Sequence, residues 1–96
     1  MNDRQVAVGD IVRFVVDAEV ATQSGSFDGY GNSYYVGEEV AAVVVRVWGV
    51  GPSAAVNLKV FIDGPGPDIW VTSVMGYQGD RPPVRTWHFP DVHDEA

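Results

Sequence analysis

The chain alternates apolar and polar positions with a period of two, and Gly or Pro clusters interrupt it at short intervals. Val, Ile, Tyr, Phe, Trp and Thr dominate the runs between those breaks, which is the signature of strands. No stretch carries a 3.6-residue period for more than one turn, so no longer helix is expected. Five strands are predicted, near residues 10–20, 40–48, 54–62, 69–75 and 84–89.

In the first strand Val12, Phe14 and Val16 form one face, and Arg13, Asp17 and Glu19 place the other against solvent. In the second, Ala41, Val43, Val45 and Val47 oppose Val40, Ala42, Val44, Arg46 and Trp48. Both faces are largely apolar, which argues for a central or doubly covered strand. The third alternates cleanly, with Val56, Leu58, Val60 and Ile62 inward and Asn57, Lys59, Phe61 and Asp63 outward. The expected core is Val12, Phe14, Val43, Val45, Val47, Val56, Leu58, Val60, Val71 and Val74.

Asp63-Gly64-Pro65-Gly66-Pro67-Asp68 is the strongest turn signal. It leaves no room for the helix that an OB-fold usually carries between its third and fourth strands. Five strands with a long first connection, tight later turns and a short last strand therefore predict an all-β, five-stranded SH3-like barrel, with an OB-like barrel as the alternative. The chain reads as one domain: barrel core about 8–90, long loop 21–39 and acidic tail 91–96.

Composition narrows the function classes. The 96 residues are 46% hydrophobic and 20% charged, with no cysteine. That excludes a disulfide framework, a thiolate metal site and a cysteine nucleophile. The net charge is −7, and the six basic residues, Arg4, Arg13, Arg46, Lys59, Arg81 and Arg85, are scattered. Phosphate-backbone binding draws on clustered Lys and Arg, so no nucleic-acid partner is expected. No run approaches the roughly 18 apolar residues of a membrane span. Residues 1–5 lack a signal-peptide pattern, so a soluble chain without an export signal of its own is expected.

No constellation of catalytic type stands out. Asp28-Gly29-Tyr30-Gly31-Asn32-Ser33 resembles an oxygen-ligand loop only in Asp28 and Asn32, and turn chemistry accounts for both. His88, Asp91, His93 and Asp94 cluster in sequence, but the last three fall in the acidic tail. Ser24, Ser26 and Ser33 have no base beside them in the sequence, and Glu38-Glu39 reads as a solvated pair at a strand start. No enzyme, no metal and no cofactor is expected.

The second half of the chain carries Val45-Arg46-Val47-Trp48, then Val56-Asn57-Leu58-Lys59-Val60-Phe61-Ile62-Asp63-Gly64. It continues with Trp70-Val71-Thr72-Ser73-Val74-Met75-Gly76-Tyr77 and Thr86-Trp87-His88-Phe89-Pro90. Over roughly residues 40–90 this resembles a family of small, mostly uncharacterised proteins of tailed bacteriophages. Their pattern runs Val-x-Val-Trp, Val-Asn-Leu-x-Val-Phe-x-Asp-Gly, Trp-x-Thr-Ser-Val-x-Tyr and Thr-Trp-His-Trp-Pro. Phe89 stands where the family has Trp, and the aromatic loop before Val40 lies outside the pattern. The resemblance implies a phage origin and brings no catalytic residues with it.

The aromatic residues are the remaining signal, because Tyr and Trp are enriched at interfaces. The expectation is a phage virion accessory structural protein, such as a capsid decoration protein, in the virion and, before assembly, in the host cytoplasm. Its partner would be a phage structural protein such as the major capsid protein, bound through Phe27, Tyr30, Tyr34, Tyr35, Trp87, Phe89 and Pro90. Self-association is left open. The alternative is a soluble binding module that sequesters a small ligand or blocks a host protein.

Overall fold

The computed structural model describes residues 4–24 and 32–90. Five strands, β1 (Ile11–Val15), β2 (Glu39–Val47), β3 (Val56–Val60), β4 (Ile69–Gly76) and β5 (Thr86–His88), form a closed barrel in sequence order. Neighbours from β1 to β4 are antiparallel, and β5 returns antiparallel to β1, with Arg13 opposite His88 and Phe14 opposite Trp87. This is the SH3-like order; the Greek-key path of an OB barrel is not followed. A short parallel pairing of Met75 with Thr86 and Gly76 with Trp87 closes the barrel.

One helix, α1 (Ala18–Ser24), replaces the expected end of the first strand and the start of the long loop. Asp17 causes the change. Its Oδ1 accepts the Val20 backbone N–H at 3.0 Å, the N-cap contact that satisfies an otherwise orphaned donor of the first turn. Glu19 adds a carboxylate to the positive end of the helix. Seven residues are just under two turns, and Val20 and Ser24, four apart, both face inward.

The core is built largely of valine. Val12, Phe14, Val56, Leu58, Val60, Val71 and Val74 are buried as expected. On β2 the inward set is instead Val40, Ala42 and Val44, while Val43 is half-buried and Val45 exposed. A bulge explains the difference. Val44 pairs with Leu58 and Arg46 with Asn57, so Val45 is the extra residue and the alternation changes phase there. Past the bulge Val47 turns inward again and packs half-buried against the core. A second bulge, on β4, lies between Val71 and Val74; there Ser73 takes φ 54°.

Trp87 and Phe89 are corrected as surface anchors. Trp87 is wholly buried, and its Nε1–H donates to the Ala54 carbonyl at 2.8 Å. Phe89 packs edge-on against it with centroids 5.2 Å apart. The Arg4 guanidinium covers the Phe89 ring at 3.9 Å and reaches Asp10 at 3.6 Å, so the N-terminal segment closes this end of the barrel. Pro90 beside them is half-buried.

Trp87 is accommodated because position 76 is glycine. A Cβ there would lie 2.7 Å from the Ser53 Cα and 2.9 Å from two Trp87 ring carbons. Backbone and a buried indole cannot step aside, so Gly76→Ala is expected to lower stability by about 1–3 kcal/mol. Chemical denaturation of the two proteins tests this; an unchanged midpoint would mean that the closure is slack.

No helix among the described residues is long and apolar enough to cross a membrane.

Candidate docking site

Of the four aromatics in the long loop, Tyr34 and Tyr35 are described and differ in role. Phe27 and Tyr30 lie outside the described residues, as do Asp28, Ser26 and the tail residues Asp91, His93 and Asp94. Tyr34 is a structural residue. It is half-buried against the core, its N–H donates to Ser24 Oγ and its hydroxyl to the Phe61 carbonyl, both at 2.8 Å. Ser24 Oγ in turn donates to the Ala21 carbonyl, so this buried hydroxyl ties the loop to α1. Tyr35 is 78% exposed, at a turn in which its N–H meets Glu38 Oε1.

Asn32 and His88 each meet a carboxylate within the fold. Asn32 donates through its backbone N–H to the Asp63 carbonyl and through Nδ2 to Asp63 Oδ2, both at 2.8 Å. His88 Nε2 lies 3.0 Å from Glu39 Oε1. Among the described residues no group of three or more His, Asp or Glu converges as a metal site would require.

Burial and the carboxylates of Asp63, Glu38 and Asp68 raise the Tyr34 phenol above its ordinary 10.0. The folded chain thus holds this proton more tightly than the unfolded one. The resulting stability is present in full below pH about 10 and is lost as pH rises through the raised folded value. Melting temperatures followed from about pH 8 to 11 should fall less steeply for Tyr34→Phe than for the natural chain. Parallel curves would remove Tyr34 from the alkaline transition.

Three further exposed aromatics among the described residues stand together on the outer face of the sheet formed by β2, β3 and β4. Trp48, just beyond β2, is 57% exposed; Trp70 on β4 is 61% exposed; Phe61, just past β3, is 37% exposed. The bulge at Val45 directs Arg46 and Trp48 outward. The Arg46 guanidinium then lies 4.8 Å from the Trp48 ring centroid. Trp48 Nε1–H donates to Asn57 Oδ1 at 3.0 Å, and the same oxygen accepts the Ser73 N–H at 2.9 Å. One buried amide thus joins both bulges and fixes the indole. Along the next row Val43, Lys59 and Trp70 are cross-strand neighbours, which sets Lys59 directly beside Trp70.

Behind Trp70 a shallow cleft of about 260 Å³ lies between β4 and α1, bordered by Glu19, Gln23, Thr72 and Arg85. Its cation is already engaged: Arg85 meets Asp17 Oδ2 at 3.3 Å and donates to the Thr72 carbonyl at 2.9 Å.

The Trp48 and Trp70 positions were visible as aromatics in the sequence, but their outward direction was not. Comparison with family models, with curated proteins and with solved structures finds no match to this chain.

Proposed function

We propose that this barrel is a binding protein without catalytic activity of its own, acting as an accessory structural component of a phage particle. One observation carries the binding role: two tryptophans, Trp48 and Trp70, expose more than half their surface on one sheet face. Leaving such large apolar rings in water is unfavourable, at about 25 cal/mol per Å² of apolar surface, and exposed patches of this kind mark contact surfaces. A side chain held by hydrogen bond before docking also loses little entropy on docking. The phage context rests on the pattern shared over residues 40–90. A capsid or other particle protein is the partner class that fits both, and the host cytoplasm is where the chain would wait for assembly.

Mass spectrometry of purified particles from the phage that encodes the chain tests the role. The chain should be present at a fixed stoichiometry to the shell protein. Its absence would overturn the particle role and favour a soluble module, for which the cleft beside Trp70 is the natural ligand site.

A further inference from the structure

The outer sheet face is basic in an acidic molecule. Three of the six basic residues, Arg13, Arg46 and Lys59, stand exposed on the outward positions of β1, β2 and β3. Among the described outward strand positions the one carboxylate is Glu39, and it is engaged by His88. The chain as a whole carries −7. Two of them stand next to an exposed tryptophan: Arg46 lies over the Trp48 ring and Lys59 is the cross-strand neighbour of Trp70.

Resting on the reading of the chain as a docking protein, we infer that the Trp48–Lys59–Trp70 face receives an acidic, aromatic-bearing segment of a protein partner. Charge complementarity selects this occupant. A second copy docked face to face would set Arg46 and Lys59 against their own equivalents, and like charges across an interface disfavour the pairing. A nucleic acid needs many phosphate contacts to hold, whereas the face formed by β2, β3 and β4 offers two cations, Arg46 and Lys59, on a polyanionic molecule. A protein segment spaces its carboxylates out. Two carboxylates can reach Arg46 and Lys59 while a ring between them lies on an indole. Asn57 is the positioning residue: its Oδ1 fixes the Trp48 ring beneath Arg46.

The test uses the full chain labelled with nitrogen-15 and a random copolymer of glutamate and tyrosine as probe, with polylysine and oligothymidylate as controls. The three tryptophans give three indole N–H signals. The copolymer should move the Trp48 and Trp70 signals and leave buried Trp87 in place. Affinity should fall at least about tenfold near 1 M salt, where the screening length is about 3 Å. The Arg46→Glu/Lys59→Glu variant should lose the response while keeping the Trp87 signal, which reports an intact core. The inference is overturned if the copolymer moves neither signal, if the charge-reversed variant responds equally, or if oligothymidylate binds more tightly. Concentration-dependent shifts without any probe would also overturn it, in favour of self-association. Loss of the particle role alone would appear differently, as copolymer binding by a chain missing from particles.

Discussion

Replacing Trp87 with Ala is expected to remove a large share of the barrel's stability. Trp87 is fully buried where β5 meets both β1 and β4, so it is surrounded by the two pairings that close the barrel. Truncation removes a large apolar surface, leaves a cavity that a closed barrel cannot collapse, and strands the Ala54 carbonyl that accepts its N–H. Phe/Trp→Ala changes in cores cost about 3–5 kcal/mol, against a total of about 5–15 kcal/mol for a domain. The urea midpoint should fall by at least about a fifth, and to half or less if the total lies at the low end of that range. Trp87→Phe should fall in between, since it keeps most of the ring but not the hydrogen bond, worth about 1 kcal/mol net. A Trp87→Ala midpoint close to that of the natural chain would show that the closure contributes little.

Why Trp87 read as a surface anchor is instructive. It sits in a short last strand near an acidic tail, and alternation over three residues cannot distinguish inside from outside. A volume argument would have found it. The inward positions of β1 to β4 are mostly Val with one Ala, one Ile, Leu58 and Phe14. Such small side chains leave the middle of a five-stranded barrel unfilled unless one large residue enters it. Gly76, which sits in contact distance of the indole, is the second half of that signal.

Two other differences have the same origin, a spacing that fits more than one geometry. Val16 and Val20 are four apart, and four residues return to the same face in a strand and nearly so in a helix. Alternation therefore ran on past the end of β1, and only the capping chemistry of Asp17 separated the two. On β2 the polar residues at the two ends, Glu39 and Arg46, mark opposite phases, and the apolar run between them fits either face, so the bulge at Val45 was invisible. Where polar markers exist, as on β3, the inward set Val56, Leu58 and Val60 was legible. The candidate site suffered most, because its tryptophans are placed by the bulges, which are set by cross-strand pairing and by the Asn57 amide rather than by local pattern.

If the chain has the particle role proposed above, replacing Trp48 and Trp70 together with Ala is expected to release it from the particle while leaving the fold intact. Both rings are mostly in solvent, so neither truncation opens a cavity. Trp48→Ala does give up the bond to Asn57 Oδ1, but that oxygen keeps the Ser73 N–H as a partner. At the interface the sign reverses. An exposed, oriented indole is the type of residue that dominates binding energy, at about 2 kcal/mol or more for each hot spot, or roughly 30-fold in Kd. The two stand on the same sheet face without a shared hydrogen bond, so their losses should add in part, to somewhere between about 100- and 1,000-fold. Tyr34 and Tyr35 make a sharp contrast. Tyr34→Ala removes the link from the loop to Phe61 and lowers stability, while Tyr35→Ala removes a ring that is 78% exposed. Particle occupancy should therefore follow the tryptophans, with Tyr35→Ala close to the natural level. If occupancy falls with Tyr35→Ala and survives loss of both tryptophans, the contact lies on the loop and the sheet face is solvent-exposed for another reason.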